Sequence, residues 1–246
     1  MLRFELYKLV TLRSTWVGAT LALALSGVLA LLLTKVVGGQ TDAVSGPVEL
    51  VQLILRASLP VPVTVAVLAI TVVRSELRDG MLRLGLLGFP VRPRVLASKA
   101  GAVVVLAVVL GSATACVALI TVSFWGSLGA VPASGWLVAI GVQVLVTLGW
   151  GLAGLVVGVL VPHLGGGVAA LLLVPYAVEP VVAGLLTGQP LVAGLLPFRS
   201  LTSAYDALGQ SLAAGGSHGW SGLLPFTVLL AVAGAFAVHR FRGLDA

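Results

Sequence analysis

Six long apolar segments constrain this chain more than any other feature of its sequence. Each is close to the length of about 20 residues that an α-helix needs to cross the hydrocarbon core of a bilayer. Soluble domains carry about a quarter charged residues, whereas this chain is 9% charged with a mean hydropathy of +1.16. The sequence therefore predicts an all-α integral membrane protein, with six transmembrane helices at approximately 16–37, 53–73, 100–125, 136–161, 168–186 and 223–238.

These spans occupy most of the 246 residues. We therefore expect a single transmembrane domain over residues 1–246, without a nucleotide-binding domain. The second span is the least regular, because Arg56, Pro60 and Pro62 lie in its first turns. Membrane helices tolerate proline where neighbouring groups satisfy the freed carbonyls, so a kinked start is expected there rather than a broken span. The first apolar run is long enough to span, which favours an uncleaved helix over a signal peptide.

A basic island, defined as residues Arg74–Lys99, separates the second and third spans. It holds eight of the 22 charged residues: the cations Arg74, Arg78, Arg83, Arg92, Arg94 and Lys99 and the acids Glu76 and Asp79. Six spans place both termini on the side of the island, together with 11 of the 14 lysines and arginines. Because lysine and arginine collect on the cytoplasmic side, we predict cytoplasmic termini and a bacterial plasma-membrane protein.

Residues Leu2–Arg13 form a moderately amphipathic pattern. Leu2, Leu6, Leu9 and Val10 share one arc of a helix at 100° per residue. Such a helix can lie in the membrane interface with its cations at the lipid headgroups. The alternative is a cytoplasmic leader that only supplies positive charge.

Glu179 is the one ionisable residue deep within an apolar segment. A carboxylate inside a membrane is costly and suggests a functional site, here part of a substrate path or a gate. The alternative is a structural role, since Pro175 and Pro180 flank Glu179 where the helix can open to water. In the fourth span, Gly154 and Gly158 have GxxxG spacing, which serves helix packing within one subunit or a contact between subunits.

Catalytic, metal-binding and cofactor-binding patterns are not convincing in this sequence. Gly215–Gly219 fits G-x-S-x-G, but that motif needs a strand–turn–helix context. Ser221 lies in a G-x-S-G pattern, yet His239 is about 27 Å away along a continuous helix at 1.5 Å per residue. The three histidines and single cysteine have no familiar metal-ligand spacing. No G-x-x-x-x-G-K-[ST] motif occurs, so ATP-driven work would need a separate subunit.

The island resembles the cytoplasmic loop between spans two and three of ABC-2-type transporter permeases. The residues that carry this resemblance are Glu76, Gly80, Met81–Leu87, Pro90, Arg92 and Lys99, with Met81 where many members carry threonine. Glu5–Leu9 is similar to the opening interfacial helix of that family. Leu196–Phe198, before a short helix-like piece, is similar to its outer connection.

The resemblance implies the permease subunit of an ATP-driven exporter, paired with a second permease subunit and two copies of a separate ABC ATPase. It implies that residues 75–87 form a cytoplasmic coupling helix that docks on the ATPase. The docking residues would be Glu76, Arg78, Asp79, Gly80 and Arg83, while Arg92, Arg94 and Lys99 anchor span three. The alternative is an ATP-independent helical transporter or channel. We expect the bilayer, and not a nucleic acid, as the other partner, and the substrate stays open.

Overall fold

The computed structural model describes residues 2–37, 47–78, 92–125, 133–186, 195–214 and 220–243. All regular structure in these ranges is helical. The helices are α1 (Leu2–Thr11), α2 (Arg13–Val36), α3 (Pro47–Ala57), α4 (Pro60–Arg78), α5 (Arg92–Trp125), α6 (Ala133–Leu160), α7 (Leu164–Leu173), a π-helical segment (Val174–Val178), α8 (Glu179–Leu185), α9 (Pro197–Ala214), a 3₁₀ turn (Trp220–Leu223) and α10 (Leu224–Gly243).

Five helical stretches within the described ranges are long and apolar enough to cross a membrane. They are Arg13–Val36, Pro47–Ser75, Val95–Phe124, Gly135–Leu160 and Leu164–Leu185. They overlap the first five predicted spans. The chain is therefore an all-α, multi-pass membrane protein. The sixth predicted span also forms a helix, but the apolar part of α10, Leu224–Arg240, is shorter than the other five.

The second stretch is interrupted at Ser58 and Leu59, between α3 and α4. Proline lacks the N–H that a continuing helix needs, but fits the first helical turn, and Pro60 starts α4 in this way. Hydrogen bonds flank the break: the Ser58 N–H donates to the Ile54 carbonyl at 3.0 Å at the end of α3, and the Val63 N–H donates to the Leu59 carbonyl at 3.1 Å at the start of α4. The stretch is thus divided into two helices at Pro60, where the sequence predicted a kinked start rather than a break.

The tightest packing in the described bundle joins α4 to α6. A Cβ atom added at Gly154 would collide with the backbone of Ala66, and one at Gly158 would lie 3.1 Å from the Cα of Ile70. Glycine at these positions lets the two backbones approach closely. The GxxxG spacing therefore serves packing within one subunit, which was the first of the two predicted alternatives.

The fifth stretch changes helical type along its length. The Glu179 N–H donates to the Val174 carbonyl five residues back, as in a π-helix, and Pro175 and Pro180 supply no N–H. This stretch is the least buried of the five, because only 11% of its most apolar 18 residues are buried. Short π segments within α-helices are frequent at functional sites, so this departure from regular geometry marks a place to look for one.

Helix α1 forms where the amphipathic pattern predicted a helix. Phe4 and Tyr7 are exposed, whereas Glu5 is buried. The predicted apolar arc of Leu2, Leu6, Leu9 and Val10 lies outside the described side chains. The exposed aromatic side chains suit the boundary between water and lipid.

Candidate functional site

A cleft lies where the interruptions of the second and fifth stretches meet. Leu59, at the break between α3 and α4, and Pro175 and Tyr176, in the π segment, line a cavity of about 280 Å³. Discontinuous membrane helices often build the binding sites of transporters. The remaining lining residues are Trp150, Glu179, Pro180, Ala183, Phe198, Arg199 and Thr202. We call this cavity the broken-helix cleft.

Aromatic rings form one wall of the broken-helix cleft. The Trp150 ring centroid lies 4.7 Å from that of Phe198 and 6.3 Å from that of Tyr176. Trp150 is 2% exposed, and its indole Nε1 has no hydrogen-bond partner among the described residues. A buried donor without an acceptor costs about 1–3 kcal/mol, so this N–H is a group that a bound acceptor would stabilise.

Glu179 closes the cleft from the side of α8 and caps helix α9. Its two carboxylate oxygens accept hydrogen bonds from the backbone N–H groups of Phe198 and Arg199, each at 2.8 Å. These donors belong to the first turn of α9, where N–H groups lack partners within the helix. A carboxylate is also favoured at the positive end of a helix dipole. This geometry supports the structural role for Glu179 that the flanking prolines suggested.

Helix α9 is held against the bundle by a second set of polar contacts. The Tyr205 hydroxyl donates to Gln143 Oε1 at 2.8 Å, and both side chains are fully buried. Gln143 Nε2 has no partner in the described chain. Burial raises the pKa of Tyr205, although Arg56 opposes that effect. At the surface, Arg56 pairs with Asp206, so α9 is bound to both α3 and α6.

An apolar groove adjoins the broken-helix cleft and shares Phe198 with it. The groove has a volume of about 210 Å³ and lies between α6, the fifth stretch and α10. Its lining has no charged or polar side chain: Ala153, Val156, Val157, Ala170, Leu171, Val174, Pro197, Phe198, Phe226, Leu229, Leu230 and Ala233. The two spaces are separate cavities that adjoin at the Phe198 side chain, one with polar residues in its lining and one without.

The structure describes two of the five predicted docking residues. Glu76 and Arg78 lie in the last turn of α4, which extends into the start of the predicted coupling helix. Asp79, Gly80 and Arg83 lie outside the described residues. The anchor residues Arg92 and Arg94 open α5.

Lys99 does more than anchor a span. Its Nζ lies 3.1 Å from Glu5 Oε1, and the two residues are 2% and 5% exposed. The pair joins α1 to the first turns of α5, where the basic island ends. Positive-inside charge alone explains a lysine at this position, but not its burial against a carboxylate 94 residues away.

Two arginines converge on the C-terminal end of α6. Arg74 donates to the Pro162 and Val159 carbonyls at 3.1 and 3.2 Å, and Arg240 donates to the Leu160 carbonyl at 2.7 Å. Cations are favoured at the negative end of a helix dipole. These contacts bring the ends of α4, α6 and α10 together.

The described chain holds the broken-helix cleft and the apolar groove as its candidate binding spaces. It brings no three histidine, cysteine, aspartate or glutamate side chains together for a metal ion. Sequence reasoning missed Glu5, Trp150, Gln143 and Tyr205 as site residues. Gln143 could have been noticed in the sequence, because it is a polar side chain within an apolar segment. Its partner Tyr205 could not, because it lies 62 residues away.

No family model, curated protein or solved structure matches this chain.

Proposed function

We propose that this chain is the permease subunit of an ATP-driven ABC-2-type transporter, working as an exporter with a second permease subunit and two copies of a separate ATPase. In this proposal α10 is the sixth span, both termini are cytoplasmic and the protein lies in the plasma membrane. The basic island then faces the ATPase. The 246 residues contain no P-loop, so ATP hydrolysis takes place on the partner chain.

The observation that carries this proposal is the buried Glu5–Lys99 pair. It fixes the N-terminal helix to the chain that leaves the island. A push applied to the island by an ATPase would then move α1 and α5 together, because a buried pair resists separation. An island that served only topology would need no such attachment.

The contacts at the end of α6 support the proposed orientation. Arg74, at the start of the island, and Arg240, near the end of α10, bond to the same helix terminus. The pair of Glu5 and Lys99 adds the N-terminal helix to the island side. These contacts support the proposal that both ends of the chain lie on the same side as the island, as the six proposed spans require.

The test is copurification of an ATPase with the chain from its native membranes. We expect a tagged parent chain in mild detergent to retain a P-loop protein and ATP hydrolysis. Glu76→Lys and Asp79→Lys should each reduce the retained ATPase about tenfold, with unchanged membrane levels. Asp245→Lys is the matched control, because it reverses one acidic charge on the same proposed side. A parent without any ATPase, or charge reversals that behave like the control, would contradict the proposal.

A second function, an ATP-independent carrier, is favoured by one observation. The two interrupted stretches meet at one cleft, as they do in many secondary transporters. A carrier of this kind would transport substrate when reconstituted alone with an ion gradient. A permease subunit would do so only with its ATPase and ATP.

A further inference from the structure

We infer that the broken-helix cleft and the apolar groove together bind one anionic acyl lipid. The head group lies at Arg199 and Trp150, and the acyl chain lies in the groove. The inference depends on the proposed function in one respect only, that this lipid is the transported cargo. The binding itself is a property of the chain alone.

The group of the cleft that can bind an anion is the Arg199 guanidinium. The Glu179 carboxylate accepts hydrogen bonds from two backbone N–H groups of α9, so both of its oxygens already have partners. The Arg199 side chain is exposed and forms no ion pair with any residue in the described ranges. A guanidinium presents paired donors that match a phosphate or carboxylate. The Arg199 guanidinium of the cleft is therefore available to an anion, whereas the Glu179 carboxylate is bonded to α9.

The wall of the cleft supplies a second donor. Trp150 Nε1–H has no acceptor, and an ester or phosphate oxygen would provide one. The atom is buried beside the cleft, and the ring centroid of the half-exposed Tyr176 lies 6.3 Å from that of Trp150.

The groove fits the remainder of such a molecule. It begins at Phe198, beside the cleft, and continues along α6 to Val157. Trp150 and Val157 are seven residues apart, which corresponds to about 10 Å along a helix. In the proposed orientation, the cleft residues of the fifth stretch, Pro175 to Ala183, lie toward its outer end, whereas its groove residues Ala170, Leu171 and Val174 lie nearer the middle of the bilayer. A lipid with an interfacial head and an inward chain has this orientation.

The experiment measures lipid binding to the purified full chain in a neutral detergent, without any ATPase. Native mass spectrometry gives dissociation constants for lysophosphatidylglycerol, lysophosphatidylcholine and inorganic phosphate. We expect one anionic lysolipid per chain, bound about tenfold more tightly than the zwitterionic one, as one charge-assisted hydrogen bond would give. Phosphate alone should not displace it at millimolar concentration. Equal binding of the two lysolipids would overturn the anionic specificity, and displacement by phosphate would indicate a free-anion site.

Two variants test the two ends of the site. Arg199→Gln should abolish the preference for the anionic lipid, whereas Lys35→Gln, which removes another exposed cation, should retain it. Ala233→Phe should fill the groove and weaken both lysolipids about tenfold, whereas Val232→Phe, on the exposed side of the same helix, should not. Variants that match their controls would overturn the inference. Lipid binding without a copurified ATPase would support the lipid site and contradict the proposed transporter. A copurified ATPase without lipid binding would support the transporter and contradict the lipid site.

Discussion

Two buried carboxylates, one near each end of the bundle, show different ways of placing an acid in a membrane protein. Glu5 and Glu179 are each 5% exposed. Glu5 has a lysine 3.1 Å away, but its other oxygen, Oε2, has no hydrogen-bond partner among the described residues. Glu179 has two backbone N–H donors at 2.8 Å, one for each oxygen. Glu5 is thus stabilised by an ion pair, and Glu179 by hydrogen bonds from the N-terminal turn of α9.

The difference indicates what each site tolerates. An ion pair in a poorly solvated site loses most when one partner alone is removed, because the other charge stays buried. A helix cap loses its acceptor, but the N–H groups it leaves are neutral. Glu5 and Lys99 should therefore be strongly coupled, whereas Glu179 should tolerate a neutral side chain that still presents an oxygen.

The largest effect is expected for Lys99→Met. The Glu5 carboxylate would remain buried without its cation, at a cost of about 3–5 kcal/mol. Hydrogen exchange over Leu2–Thr11 would report release of α1, and thermal unfolding in detergent would report the loss of stability. The double variant Glu5→Leu/Lys99→Met should recover most of that loss, and Lys35→Met, at an exposed lysine, is the control. A single variant as stable as the control would show that the pair does not hold α1.

Glu179→Leu is expected to have the next largest effect. Two N–H groups in the first turn of α9 would lose their acceptor, at a cost of about 2–4 kcal/mol. Glu179→Gln keeps one acceptor oxygen and should lose about half as much. Reversible unfolding in detergent gives both values. Equal losses in the two variants would mean that the charge of Glu179, and not its hydrogen bonds, stabilises the site.

Glu179→Gln also distinguishes a structural role from a role in transport. If Glu179 only caps α9, the assembled variant should transport at the parent rate after allowance for protein amount. Reconstituted vesicles with the partner ATPase provide this measurement. Slower transport by an equal amount of assembled variant would instead support a role for Glu179 in the substrate path or gate.

A smaller effect is expected for Tyr205→Phe, which tests whether Glu179 alone holds α9. Gln143 Oε1 would lose its donor, at a cost of about 1–2 kcal/mol. Burial raises the pKa of Tyr205 in the folded chain, so its contribution is complete below about pH 10 and falls as the pH rises further. Unfolding measured from pH 8 to 11 should show this decline in the parent and a weaker one in Tyr205→Phe. Identical pH profiles would contradict the role of Tyr205.

The smallest effect is expected for the exposed pair of Arg56 and Asp206. Their side chains are 42% and 56% exposed, and exposed ion pairs contribute about 0–1 kcal/mol. Asp206→Asn should lower the stability by less than about 1 kcal/mol, and high salt should remove the difference. A loss as large as that of Lys99→Met would show that exposure does not separate the two kinds of pair.

Local features of the fold were predictable from the sequence where they depend on neighbouring residues. The apolar segments predicted helices, and Pro60 and Pro62 marked the place of the irregularity in the second stretch, although the structure has a break there and not the predicted kink. Pro175 and Pro180 drew attention to the right part of the fifth stretch, but they did not predict a π segment.

The partners of the site residues were not predictable, because each pairing depends on the tertiary fold. Lys99 is 94 residues from Glu5, and positive-inside charge already explained its presence. Glu179 stood out as a carboxylate in an apolar segment, yet its donors are backbone N–H groups, which every residue except proline carries. Trp150 could not be told from the other apolar residues of its segment, because a sequence does not show that its indole Nε1 lacks a hydrogen-bond partner.

The cap on α9 also has a consequence for the order of biosynthesis. The donors that satisfy Glu179 lie 19 and 20 residues after it, so the ribosome makes the acid before its partners. Until α9 folds back, the fifth stretch enters the bilayer with an uncompensated carboxylate, which costs about 2.5–3.5 kcal/mol near the centre of a membrane helix. Stable insertion of this stretch is thus completed by a segment translated later. A nascent chain that ends before residue 197 would hold it less firmly than the finished protein.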